Sequence, residues 1–140
     1  MLLLRPEWKV VDAGDERGSL EIYLPPRNLL VNVARGHLSQ FLARRWIDVI
    51  DIEFKKNRVF HSFQDWEAMT SYDSAARRVL TTWVLANRKS IASSDFLVGS
   101  RIVAMGISAA NVMTALAGLH MIAHTDRAEF EAVYKRLSRA

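Results

Sequence analysis

One stretch of this chain crowds carboxylates, hydroxyls and aromatics together: Gln64-Asp65-Trp66-Glu67-Ala68-Met69-Thr70-Ser71-Tyr72-Asp73-Ser74. It falls between the end of a predicted strand and the start of a predicted helix. In parallel α/β sheets, ligands gather at the carboxyl ends of the strands. A helix N-terminus adds free N–H groups and a positive dipole end, both suited to an anion. Ser71, Tyr72, Asp73 and Ser74 are therefore candidates for a partner-binding site, with Trp66 as a candidate apolar contact. The same residues also have structural uses. Ser71 or Asp73 can cap the helix, and Trp66 and Tyr72 can cover the sheet edge.

Little else in the sequence carries chemistry. His120 and His124 are four apart, the only metal-like spacing, but the glutamate of a zinc-protease helix is missing and no third ligand is evident. A structural role is expected for both, and no metal or cofactor. His37 and His61 stand isolated in the sequence. There is no P-loop, no GxGxxG and no G-x-S-x-G, so neither a phosphate cradle nor a hydrolase elbow has sequence support. The absence of cysteine excludes disulfides, thiolate catalysis and cysteine zinc sites, and fits a reducing, cytoplasmic setting. On these grounds no enzymatic activity is expected.

The elements that must position these residues follow from pattern. Ser19–Leu24 alternates as a strand, Pro25-Pro26-Arg27-Asn28 ends it, and Leu29–Arg35 is a second strand. Trp8–Val11 is an optional earlier edge strand, and residues 1–18 form an N-terminal edge and loop. From Ser39 the apolar period becomes helical through Phe54, with Ser39 as N-cap. Val59–Asp65 reads as a strand, Asp73–Arg88 as a helix that buries Trp83, and Phe96–Val98 as a short strand. Ile102–Ala117 reads as an apolar helix, Leu119–Ala123 as the last strand, and a final helix follows Asp126 with Glu129 in capping-box position.

The predicted order is β-β-α-β-α-β-α-β-α in one domain spanning residues 1–140. That is an α/β fold, a mixed sheet flanked by about four helices. The third helix is apolar all round, which predicts packing on the sheet and cover on its outer side. Its methionines, Met105 and Met113, and Met121 just beyond, are candidate apolar-ligand or partner contacts.

Composition bounds the function classes. Half the residues are hydrophobic and 24% are charged, ordinary for a globular domain. The net charge of +4 is scattered, much of it near predicted helix ends, so no nucleic-acid site is expected. Met1-Leu2-Leu3-Leu4 is too short for the apolar core of a signal peptide. Ile102–Ala123 contains Gly106, Ser108, Asn111, Thr114, Gly118 and His120 and lacks aromatic anchors, so no stable membrane insertion is expected.

The strand followed by Tyr72-Asp73-Ser74-Ala75-Ala76 and an apolar helix resembles the STAS domain, the fold of bacterial anti-sigma-factor antagonists. That family carries Asp-Ser-Ser/Thr-Gly at this helix start. The resemblance implies that Ser74 occupies the phosphoacceptor position and Asp73 the position before it. Ala75 and Ala76 depart from the motif. Phe63 through Trp66, the apolar third helix and His124-Thr125-Asp126-Arg127-Ala128-Glu129-Phe130 are similar to a STAS-like subgroup related to the lipid-carrying Sec14 (CRAL-TRIO) fold. The resemblance implies a non-enzymatic binding module, a protein-interaction domain of bacterial signalling. The alternative is a carrier or sensor of a small lipophilic ligand. A homodimer through the apolar third helix is a further expectation.

Overall fold

A computed structural model describes residues 2–139. The chain opens with a single 3-10 turn, Pro6–Trp8, and an antiparallel meander of β1 (Lys9–Gly14), β2 (Gly18–Tyr23) and β3 (Leu29–Leu38). Helix α1 (Gln40–Phe54) crosses to β4 (Phe60–Trp66), which lies parallel to β3. After a turn at Glu67 and Ala68 the chain resumes as β5 (Met69–Tyr72), paired with the far end of β3. Then come α2 (Ser74–Ala86), β6 (Ile91–Val98), α3 (Arg101–Leu116), β7 (Met121–His124) and α4 (Arg127–Arg139). The sheet has seven strands in the order β1-β2-β3-β4-β6-β7, with β5 beside β3. This is the mixed, helix-flanked α/β sheet that the pattern predicts. Two strands join the predicted series: β1, the optional edge strand, and β5, a short half-exposed strand in the segment expected to lead straight into a helix.

The two faces of the sheet carry separate cores. On one face α1, α2 and α3 bury Leu42, Trp46, Ile50, Phe54, Leu80, Trp83, Val103 and Ile107 against Leu20, Ile22, Leu30, Phe60, Trp66 and Phe96. On the other, α4 lays Phe130 and Tyr134 over Tyr23, Leu29, Val31, Phe63 and Leu97. Phe63 meets both α4 rings edge-on, at centroid distances of 5.8 and 5.4 Å. The strand alternation of Leu30 and Val31 delivers one side chain to each core.

Local caps stand where the sequence places them. Ser39 Oγ accepts from Leu42 N at the start of α1, and Asp126 Oδ1 accepts from Ala128 N at the start of α4. Asp73 departs from expectation. It holds the N-cap position of α2, yet its side chain makes no cap bond there and reaches α1 instead. Trp66 departs too: it is buried on the central strand β4, not laid over the sheet edge. Among the described residues nothing supplies the expected cover on the outer side of α3. Its inner face is buried, but Ile102, Met105, Val112, Met113 and Leu116 are exposed.

On the outer strands Glu21 joins β1, β2 and β3. Its carboxylate accepts from Lys9 Nζ, Arg35 Nη1 and the Tyr23 hydroxyl at 2.8, 2.8 and 3.1 Å. Burial opposes its ionisation, but these three donors outweigh it and lower its pKa to about 2. A carboxyl depressed in the folded state stabilises the fold above its ordinary value of 4.5 and loses that contribution as pH falls toward 2. Glu21→Gln is expected to flatten the acid limb of a stability–pH curve across that window and to leave the slope above pH 6 unchanged. An acid limb identical to wild type would remove Glu21 from this role.

Candidate functional site

The carboxyl ends of β3 and β5 meet at the start of α1 and α2. There His37 joins two of the candidate residues. Its Nδ1 lies 2.7 Å from Ser71 Oγ and its Nε2 lies 2.7 Å from Asp73 Oδ1. Asp73 Oδ2 accepts from Gln40 N at 2.9 Å, in the first turn of α1. That backbone donor, and then His37, hold the Asp73 carboxyl below the usual carboxylate range. Next to it Ser39 Oγ donates to Asp15 Oδ2 at 2.5 Å, and Asp15 also accepts from the Arg17 and Gly18 N–H groups.

In a serine, histidine and aspartate in line, the histidine can take the serine proton while the aspartate orients the ring and stabilises the imidazolium. Here an imidazole donating from Nε2 to Asp73 leaves Nδ1 to accept from Ser71. The surroundings give the alignment a different use. His37 is buried, and one carboxylate oxygen is committed to the α1 backbone. Neither Ser71 nor His37 lines the cavity described below. The three side chains tie β3, β5 and α1 into one corner. His37 was thus isolated only in sequence. The pairing of Gly36–Leu38 with Met69–Tyr72 brings it to Ser71 and Asp73, and nothing in the linear pattern signals that. Ser74 stands apart from the corner's bonds, exposed at the first position of α2.

The second feature is internal. Between the sheet and α1, α2 and α3 lies a cavity of about 80 Å³. Trp46 and Phe54 line it from α1, Leu80, Trp83 and Val84 from α2, and Gly106, Ile107 and Ala110 from α3. Trp66 and Phe96 line it from the sheet, and Tyr72 and Met121 also contribute. Its floor is polar. The Gln64 amide donates to Ser62 Oγ, and the Ser94 hydroxyl donates to Gln64 Oε1 at 3.3 Å. Asn32 and Trp66 add a further buried pair, Trp66 Nε1 donating to Asn32 Oδ1 at 2.6 Å. Two buried donors next to this network, Trp46 Nε1 and Asn32 Nδ2, have no hydrogen-bond partner. Arg77 of α2 is half-buried on the lining and forms no ion pair among the described residues. The close approach of α3 depends on Gly106: a Cβ there would lie 2.5 Å from the Tyr72 hydroxyl oxygen.

An aromatic and aliphatic wall with a few convergent polar groups is the usual make-up of a small-molecule pocket. The volume exceeds the ~10–15 Å³ that one water needs and is about half the ~150 Å³ of an apolar cavity that takes benzene. An unpaired indole N–H asks for an acceptor, so a fitting occupant is mostly apolar with a carbonyl or similar oxygen.

The candidate residues therefore divide. Trp66, Tyr72 and Met121 line the cavity, and Ser71, Tyr72, Asp73 and Ser74 follow one another at the corner. Met105 and Met113 are not pocket residues: both lie on the exposed side of α3. Trp83 is core as expected, though it also forms part of the cavity wall. Ser62 and Ser94 carry no signal in the sequence, because polar residues inside a strand read as a solvated face, and Gln64, which opens the candidate stretch, does not stand out there as the floor of a cavity. His124 is structural, bonded through Nε2 to the buried Asp95 at 2.7 Å and edge-on to Phe130. Among the described residues no group of His, Cys, Asp and Glu is placed to hold a metal ion. No described helix is long and apolar enough to cross a membrane.

No protein-family model matches this chain, and no curated protein matches it in sequence.

Proposed function

We propose that this chain is a non-enzymatic binding module whose internal cavity holds a small lipophilic molecule bearing one hydrogen-bond acceptor. The observation that carries the proposal is the cavity itself, apolar on its walls and lined by Trp46, whose buried indole N–H has no partner. A ligand carbonyl would satisfy that donor, and the wall would exclude water from the bond, which strengthens it. The resemblance to STAS and Sec14-like domains is consistent with a carrier or sensor. A thermal-shift titration with butanone, a small apolar molecule with one carbonyl, tests the pocket. Binding to the folded state alone raises the midpoint by mass action. Pentane, of similar size but without the acceptor, is expected to shift it less. Ala110→Leu fills the cavity from α3, and its midpoint is expected to be insensitive to either compound. No shift in wild type, or equal shifts in wild type and Ala110→Leu, would defeat the proposal.

A second reading rests on Ser74. It is exposed at the start of α2, and Arg77 and Arg78 follow three and four residues later. A phosphate there would gain the helix dipole and two arginines within reach, against repulsion from Asp73. In this reading the corner is a protein-partner site of signalling type, as the STAS resemblance implies. Pull-downs from native extract with wild type, Ser74→Ala and Ser74→Asp test it. A partner kept by the alanine variant and lost by the aspartate variant supports the switch. Identical partners for all three contradict it.

A further inference from the structure

The exposed side of α3 has an order of its own. Ile102, Met105, Ala109, Val112 and Leu116 follow one another at steps of three, four, three and four residues. That is the spacing of a helix–helix seam. Ile102, Met105, Val112, Met113 and Leu116 are 60, 64, 66, 56 and 88% exposed. No charged residue interrupts the helix between Ile102 and Leu116.

Four of the exposed apolar residues also pair about Ala109: Ile102 and Leu116 lie seven positions to either side of it, and Met105 and Met113 four, while Val112 has the buried Gly106 as its counterpart. With two copies of α3 antiparallel and Ala109 facing Ala109, Met105 of one faces Met113 of the other and Ile102 faces Leu116. Arg101 then falls at the C-terminal end of the opposite helix, where a cation is favoured. A two-fold interface requires this kind of self-complementary patch, and the small residue at its centre lets the helices approach closely. A lipid surface has no need of the symmetry. A helix lying on a membrane also carries lysines and arginines along its polar side, whereas the only cation of α3 is Arg101 at its start.

We infer that the exposed face of α3 is the contact between two copies of this chain, packed antiparallel about Ala109. One face of a single helix is a small contact beside the ~800 Å² per partner of a standard stable interface. The dimer is accordingly reversible, with monomer released on dilution.

Sedimentation equilibrium across a dilution series, up to about 500 µM, reads the contact directly. The expected mass rises with concentration from 15.9 kDa toward twice that value. Ala109→Glu and Ala109→Arg each place two like charges across the axis and are expected to weaken association by at least ~10-fold, the equivalent of about 1.4 kcal/mol. An equimolar mixture of the two variants pairs opposite charges at the same point and is expected to recover the dimer. Ala109 is exposed, so circular dichroism and the unfolding midpoint of each variant should match wild type. A wild-type mass fixed at 15.9 kDa throughout the series overturns the inference. So does a dimer unaffected by either substitution, or a mixture that stays as monomeric as its components. Pelleting of a monomeric wild type with phosphatidylcholine–phosphatidylglycerol vesicles would assign the face to a membrane instead.

Discussion

Trp66→Ala is expected to lower the unfolding free energy by about 3–5 kcal/mol in a urea titration. The side chain is buried on the central strand and meets Trp46 and Phe96 edge-on at 6.1 and 5.0 Å. It lies on the cavity wall, so its removal enlarges an existing void, and the lost contacts have nothing close by to replace them. Truncation also strips Asn32 Oδ1 of the one side-chain donor it has among the described residues, in a fully buried position. Trp66→Phe separates the two effects. It keeps a ring in the site and removes the N–H, so the expected loss is about 1–3 kcal/mol, the cost of one stranded buried acceptor. Losses under ~1 kcal/mol for both variants would mean that β4 does not hold Trp66 in the core.

Trp83→Ala is the second large effect, again about 3–5 kcal/mol, or a fall of more than ~10 °C in the midpoint for a chain of this length. Trp83 is the contact through which α2 reaches α1. Its ring lies 4.8 Å from that of Phe54, which is itself stacked on Phe60 at 5.0 Å. Its indole N–H donates to Asp51 Oδ1 at 3.1 Å. That bond, and then Lys55, hold the Asp51 carboxyl below its ordinary range. The alanine variant therefore loses a tilted ring contact and a hydrogen bond between the two helices together. A midpoint equal to that of wild type would place the wrong face of α2 against the sheet.

The legible parts of this molecule are those that repeat. The helical period from Leu42 to Phe54 follows from one buried face, with Phe41 left exposed outside it, and the largely apolar run of Leu29–Arg35 supplies a core on each side of the sheet; both elements appear where the pattern puts them. β6 begins at Ile91, well before the apolar Phe96-Leu97-Val98, because its first half is polar and paired inside the molecule. Ser93 bonds His61, Ser94 bonds Gln64, and Asp95 bonds His124. Each of those partners comes from another strand, so no local window contains the reason.

The candidate sites divide in the same way. Asp73 and Ser74 stand out as a helix start, but the destination of the Asp73 carboxylate depends on β3 and β5 lying side by side. The apolar character of α3 was plain, whereas its division into a buried face and an exposed one is set by where the sheet lies. α3 thus carries both surfaces. Gly106, Ile107 and Ala110 close the cavity, and Ile102, Met105 and Leu116 lie outward.

Native mass spectrometry of the purified chain, followed by organic extraction, tests the central claim most directly. The account predicts a bound apolar molecule with an oxygen acceptor in wild type, retained when Ser74 is replaced by alanine and absent from Ala110→Leu. A wild-type spectrum at the bare mass of the chain, with no extractable small molecule and no adduct on added butanone, would contradict it.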